Sequence, residues 1–185
     1  LHNNIQQAIQ LHGLPLSGST GSRLISGNNQ LIETVEQEIA HLHQAEAGLI
    51  FNSGYDANIG LLSSIAKRND VFIYDELCHA SIRDGMRLSY AKSYAFKHNN
   101  IEHLKTLLAK NNGTIFVIVE SVYSMDGDTA PLQEIIALKT KYTFELIVDE
   151  AHSSGVYGQH GEGLCVALNI HQHVFARIHT FGKAI

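Results

Sequence analysis

The chain has 185 residues, 18 acidic and 13 basic, for a formal charge of −5, and its Lys and Arg are scattered, so it offers no cationic track for a nucleic-acid partner. At 44% hydrophobic and 17% charged it can bury a core, which excludes disorder. Its longest apolar runs, such as Ile115 to Val119, fall far short of the roughly 20 residues that span a membrane, and two cysteines without an apolar leader make a reducing cytoplasm the expected compartment.

Leu31 to Gln44 places Leu31, Val35, Ile39 and Leu42 at helical spacing, with Glu33, Glu36 and Glu38 on the other side, and predicts an amphipathic helix. Ala47 to Phe51 is a short apolar run that reads as a strand, stopped by Asn52-Ser53-Gly54, after which Asn58, Leu61, Leu62 and Ile65 resume a helical pattern. Val71 to Tyr74 predicts a second buried strand, His79 to Ser89 a short helix with Ile82 and Met86 on one face, and Ser93 to Phe96 another strand. Ile101 to Lys110 reads as a helix, followed by the near-continuous apolar strand Thr114 to Val119. Pro131 suits the first turn of a helix running to about Lys141, since its missing N–H is not needed there. Phe144 to Val148 and Val174 to His179 predict the last two strands.

Apolar rather than alternating strands, separated by helices, indicate an α/β fold with a parallel sheet covered on both faces. No internal repeat or Pro/Gly/Ser linker divides the chain. Its start at Leu1 and its ending Thr180-Phe181-Gly182-Lys183-Ala184-Ile185 predict that residues 1–185 are part of one domain, truncated at both ends.

Ligands of such sheets bind at the carboxyl ends of the strands. Polar residues just past predicted strands are therefore the candidates: Ser53-Gly54-Tyr55, His79, Ser124, Asp149 to His152, and Lys183. Gly54 precedes a helix, where free backbone N–H groups bind phosphate; otherwise it is an ordinary turn glycine. Asp149 either holds a cation or a protonated ring nitrogen, or serves as a helix cap. His152, three residues on, shares its site or is structural. Lys183, isolated in the uncharged stretch His179 to Ile185, is either a desolvated nucleophilic amine or a surface lysine.

Leu146 to His152 also fits the Asp-Glu-Ala-His element of helicases, but no Gly-x-x-x-x-Gly-Lys-Ser/Thr phosphate loop accompanies it. The twelve histidines invite a metal reading, yet His41 and His43 stand two apart on a helix and do not face one ion, and no metal is expected. Rossmann-type nucleotide binding lacks its Gly-x-Gly-x-x-Gly run.

Taken in order, Gly18 to Arg23, Asn52 to Asn58, His79-Ala80-Ser81, Glu120 to Asp128, Val148 to His152 and Thr180 to Lys183 resemble the α-oxoamine synthases, fold-type I enzymes dependent on pyridoxal 5′-phosphate (PLP). The likeness covers nearly the whole chain, and the joint order and spacing of six blocks make it specific. It implies the large PLP-binding domain of that fold, a parallel-rich sheet with helices on both faces, without the C-terminal small domain.

The resemblance implies that Lys183 binds PLP covalently and then removes the amino acid's α-proton, in a neutral form favoured by burial. It implies that Asp149 pairs with the pyridine nitrogen, that His79 stacks on the ring, and that His152, supported by Ser124, hydrogen-bonds the phenolic oxygen. The backbone at Gly54 and Tyr55 and the Thr180 hydroxyl hold the phosphate. Gly54-Tyr55 and Asp126 to Leu132 point to a branch that condenses L-alanine with pimeloyl-CoA or pimeloyl-acyl carrier protein, releasing CO2 and the thiol and giving 8-amino-7-oxononanoate for biotin biosynthesis. Serine- or glycine-using condensations are the alternatives within the family. The family further implies a homodimer with active sites at the interface, a chain inactive by itself, and no assigned contact for Arg23. A non-catalytic binding module keeping the half-fold is the alternative of another class, and Lys183 beside Asp149 and His152 favours the enzyme.

Overall fold

The structure, a computed structural model, describes Gln7, Ile9, Leu11 and residues 21–184; residues 18–20 of the first family block, and Ile185, lie outside the described residues. Five runs rich in β-branched and aromatic residues form strands: β1 (Val71–Asp75), β2 (Lys92–Phe96), β3 (Ile115–Glu120), β4 (Glu145–Asp149) and β5 (Ala176–Ile178). They make one parallel sheet in the order β2-β1-β3-β4-β5, with Glu120 opposite Asp149 at the end of the β3–β4 pairing. The chain runs outward from β1 to β2, then returns to the far side of β1 for β3. Strand order reverses there, which opens a crevice at the carboxyl ends.

The helices are α1 (Gln30–Leu42), α2 (Gly54–Ile65), α3 (Ala80–Arg87), α4 (Ile101–Lys110), α5 (Leu132–Ala137) and α6 (Leu164–Ala167). Asn29, Ser53, His79 and Asn100 cap the first four, each side chain accepting a first-turn N–H, an interaction that contributes about 1 kcal/mol apiece. Phe72, Ile73, Val117, Ile118, Leu146, Ile147 and Val148 are buried on the sheet against Leu62, Ile82, Leu104, Leu132 and Ile135 from the helices. Each contributes roughly 1.5–3 kcal/mol through its burial. Helices α2 and α3 cross at Gly85, where a Cβ would come within 2.9 Å of Asn58 O and 3.1 Å of Leu62 Cβ. Only glycine permits that approach, and it brings Asn58 of α2 to Ser81 of α3.

Three expectations need correction. Ala47 to Phe51 forms no strand: the Ile50 N–H is satisfied by Glu36 Oε1 at 2.7 Å instead of by a neighbouring strand. The helix after Pro131 gives way to a 3-10 turn at Leu138–Thr140, and Pro131 caps it rather than joining its first turn. The last strand is shorter than its apolar pattern, at Ala176–Ile178. Arg23 gains an assignment, since its guanidinium pairs with Glu36 of α1 and with Asn28, pinning the segment before α1. Cys78 and Cys165 are free and buried.

A cross-link closes the β1 end of the sheet. His98 joins buried Asp75 at 2.9 Å through Nδ1 and Asp128 at 2.8 Å through Nε2, with its ring against the edge of Tyr123. Despite partial burial, the two carboxylates raise its pKa, so the ring is held as an imidazolium that ties the turn after β3 to β1.

Behind β4 and β5 lies a second polar cluster. His43 and His179 stack with centroids 3.7 Å apart. His43 Nδ1 faces the Glu162 carbonyl, which only accepts, and His179 Nδ1 faces Ser154 Oγ, whose hydrogen is given to the Glu150 carbonyl. Both rings therefore carry a proton on Nδ1. Burial lowers the pKa of both, pushing His179 down to about 2, with His43 and Arg177 adding to its shift. Because an unfolded histidine takes up its proton below about pH 6.5 while this one does not, the neutral form stabilises the fold above that pH, and the contribution is lost as pH falls toward about 2. We expect the stability difference between the wild type and His179→Asn to shrink by up to about 1.4 kcal/mol per pH unit from about pH 6.5 to about pH 5 in urea unfolding. A difference that holds constant across that range would reject the neutral-histidine assignment.

Candidate active site

The crevice at the carboxyl ends is lined by Gly54, Tyr55, Asn58, His79, Ser81, Glu120, Asp149, Ala151, Thr180 and Lys183. Each arrives for a local reason. Ser53 caps α2 and sets Gly54 in its first turn; His79 caps α3; Glu120 and Asp149 are the last residues of β3 and β4; Thr180 and Lys183 follow β5.

Asp149 is 5% exposed and accepts the Ala151 N–H at 2.9 Å and Asn58 Nδ2 at 2.8 Å. The same Asn58 nitrogen donates to Ser81 Oγ at 3.1 Å, and Ser81 Oγ lies 2.7 Å from His79 Nδ1. The Ser81 N–H also donates to that Nδ1, which is therefore an acceptor. Hydrogen-bond direction runs from the Ser81 hydroxyl to His79, leaving the His79 proton on Nε2. A fixed polar chain thus links the carboxylate at one wall to the imidazole at another. Among the described residues Asn58 Oδ1 is buried without a partner, so the cleft retains an unmatched acceptor.

Lys183 Nζ donates to His152 Nε2 at 2.7 Å. Burial and the neighbouring Lys183 lower the pKa of His152, keeping it the neutral acceptor that this contact requires. Lys183 itself is exposed, in a loop over the mouth of the crevice, which corrects the expectation of a desolvated amine. Thr180 stands beside Gly54, where an added Cβ would meet its Cβ at 3.7 Å, so a helix start and a hydroxyl share one corner. The Tyr55 hydroxyl donates to Asp84 Oδ2 at 2.8 Å, fixing its ring across α2 and α3.

Of the residues expected from the sequence, Gly54, Tyr55, His79, Asp149, Thr180 and Lys183 line the crevice, and His152 touches it through Lys183. Ser124 does not line it. Tyr123 N–H donates to Asp128 O and Gly127 N–H to Tyr123 O, closing a turn that buries Tyr123 and leaves Ser124 exposed. Sequence reasoning passed over Glu120, Asn58 and Ser81. The signal for Glu120 was available, since an acid ends a buried strand there just as at Asp149. Among the described residues no group of three or more His, Cys, Asp or Glu side chains could hold a metal ion.

The whole chain, residues 1–185, matches the aminotransferase class I and II family model. It is 46% identical over 170 residues to 8-amino-7-oxononanoate synthase of Chlorobaculum parvum, covering 90% of this chain and 43% of that protein. Its structure superposes with a TM-score of 0.88, at 34% identity, on a serine palmitoyltransferase from S. paucimobilis with a bound PLP–myriocin aldimine, covering 97% of this chain and 45% of that one. An 8-amino-7-oxononanoate synthase from Francisella tularensis superposes with a TM-score of 0.78 at 29% identity, covering 97% and 49%. The chain thus spans about half the length of the relatives it matches. Match over every residue, block order and the parallel sheet agree: the chain belongs to the aminotransferase class I and II family, in its α-oxoamine synthase branch.

Proposed function

We propose that this chain is the PLP-binding part of an acyltransferase that condenses L-alanine with a pimeloyl thioester, of coenzyme A or an acyl carrier protein, to give 8-amino-7-oxononanoate, CO2 and free thiol in biotin synthesis. The observation that carries the reading is the convergence on one crevice of a lysine, a buried carboxylate, a capping imidazole and a helix start beside a hydroxyl. That donor set fits the cofactor. The N–H groups at Gly54 and Tyr55, with Thr180, suit a phosphate. Asp149, its charge held by two N–H donors, suits a protonated ring nitrogen. PLP, when bound, supplies an electron sink for a carbanion next to the amino acid's nitrogen.

The chain's own residues do the rest. Lys183 takes the α-proton at Nζ, and His152 Nε2 holds that amine until substrate arrives. His79, fixed through Ser81 and Asn58, would lie against the cofactor's ring and would limit how substrate lies on it. The complete protein acts as a homodimer in this reading, and Leu24, Ile25 and Met125, which are 96%, 85% and 91% exposed, are apolar surface available for its contacts. No helix among the described residues is long and apolar enough to cross a membrane. Structural likeness to serine palmitoyltransferase makes L-serine and a long-chain thioester the comparison substrates.

The test adds PLP to the full-length protein, reduces with borohydride and locates the pyridoxyl group by peptide mass spectrometry. We expect a visible absorbance band and the adduct on Lys183, followed by 8-amino-7-oxononanoate formation from L-alanine and pimeloyl-CoA. Absence of both band and adduct would reject the PLP reading, whereas product formation only from L-serine and a long-chain thioester would reassign the substrates.

A further inference from the structure

Glu120 is not among the residues whose roles the family likeness supplied, yet it is 3% exposed and lines the crevice. It ends β3 in register with Asp149 at the end of β4, on strands about 4.8 Å apart. Two buried carboxyl groups this close compete for charge, and surroundings decide which one yields. The surroundings are unequal. Asp149 accepts N–H groups from Asn58 and Ala151, whereas Glu120 Oε1 accepts the single backbone N–H of His79 at 2.5 Å. His79 is the residue that caps α3 and presents its ring to the crevice.

We propose that Glu120 is a positioning residue of this site: it carries the exchangeable proton of the Glu120–Asp149 pair, and through the His79 N–H it fixes the start of α3 and with it the His79 ring. The charged groups that face it are Asp149 from β4, Asp75 from the end of β1, and Lys183 from the loop after β5, with the buried thiol of Cys78 nearby. Burial first, and the Asp149 charge second, push Glu120 up to about 7, against the pull of the His79 N–H and of Lys183. Glu120 therefore exchanges its proton with solvent near neutrality, while Asp149, with its two N–H donors, is the carboxyl group that faces a cationic partner. The His79 contact does not need the charge, because a neutral amide oxygen accepts the same N–H. Charge and position are thus separable by substitution.

The positioning half rests on the reading that the crevice holds PLP; the proton half does not. For the proton, the full-length protein without PLP, labelled with 13C at glutamate carboxyls, is titrated from about pH 4 to about pH 9. We expect one resonance with a midpoint near about 7 that is missing from Glu120→Gln and that moves down by more than about one pH unit in Asp149→Asn. A missing resonance with an ordinary midpoint near about 4.3, or one that Asp149→Asn leaves in place, overturns the proton assignment. For position, PLP dissociation constants are compared at about pH 8. We expect Glu120→Gln to stay within about twofold of wild type and Glu120→Ala to weaken binding about tenfold, the loss of one hydrogen bond to a buried site. Equal affinities in the two variants, both weakened or both normal, overturn the positioning role. If Glu120→Ala does not fold, exchange of the His79 amide hydrogen in Glu120→Gln decides it: protection as in wild type supports the role and its loss overturns it. A wild type that binds no PLP removes the proposed function and leaves the glutamate titration to decide the proton by itself.

Discussion

Replacing Lys183 with alanine in the full-length protein is expected to abolish product formation while leaving the fold intact. Lys183 is exposed in the loop after β5, and its Nζ is bonded to the neutral His152 Nε2 at 2.7 Å. It ties no strand or helix to another. Surface substitutions of that kind change stability by within about 0.5 kcal/mol, so the thermal midpoint should scarcely move. The chemistry has no such tolerance. A positioned base contributes about 10²–10⁴-fold, and Lys183 is proposed to tether the cofactor as well, so turnover should fall by at least about 10³-fold. Lys183→Arg should fail equally, because it restores the charge without a group able to lose a proton. Product measured by mass spectrometry from L-alanine and pimeloyl-CoA, beside a melting curve, checks both halves. Unchanged product formation would sink the mechanism, and a large fall in the melting temperature would show that the lysine is structural.

The centre of the sheet was legible in the sequence because β1, β3 and β4 are buried on both faces and leave runs such as Ile115 to Val119 with nothing polar between them, whereas edge strand β2 is exposed except at Phe96. The same criterion misread Ala47 to Phe51. An apolar run records a tendency to burial or extension, and only the Glu36 carboxylate, fourteen residues back and met through the fold, shows that the Ile50 N–H has no strand to pair with. Site residues were legible where a strand end coincided with a family block, as at Asp149 and Lys183. Glu120 stood inside such a block and at such an end, and Val117-Ile118-Val119-Glu120 has the same form as Leu146-Ile147-Val148-Asp149. What the sequence could not carry was the pairing of the two in register, which exists only once β3 lies beside β4. Asn58 and Ser81 belong to that same class. Each is a polar residue in a helix, and their contact depends on the close crossing at Gly85.

Glu150, adjacent to Asp149, should be among the costly polar substitutions of the described residues. It is 0% exposed, and its Oε1 accepts the Cys165 N–H at 3.0 Å and the Ser153 hydroxyl at 2.9 Å, while Oε2 lies 3.8 Å from Arg177 Nη1 and from His179 Nε2. The Arg177 side chain is 7% exposed, so removing Glu150 would leave a guanidinium buried without its countercharge. Glu150→Ala is therefore expected to cost about 3–5 kcal/mol, the usual penalty for breaking a buried pair from one side. Desolvation, not the attraction itself, supplies most of that cost, and this has a consequence. A double variant, Glu150→Gln with Arg177→Met, removes both charges and should be more stable than Glu150→Gln alone, giving a strongly non-additive cycle with the two single variants in urea unfolding at about pH 7.5. A loss below about 1 kcal/mol in Glu150→Ala would mean that water reaches Arg177 and that the pair anchors nothing. The anchor matters to the crevice because the Glu150 side chain, just past Asp149, faces Arg177 of β5 and His179 after it, on the segment that leads to Thr180 and Lys183. Glu150→Gln, which keeps the side chain's shape, should thus lose PLP affinity together with stability, whereas Lys183→Ala loses turnover with stability kept.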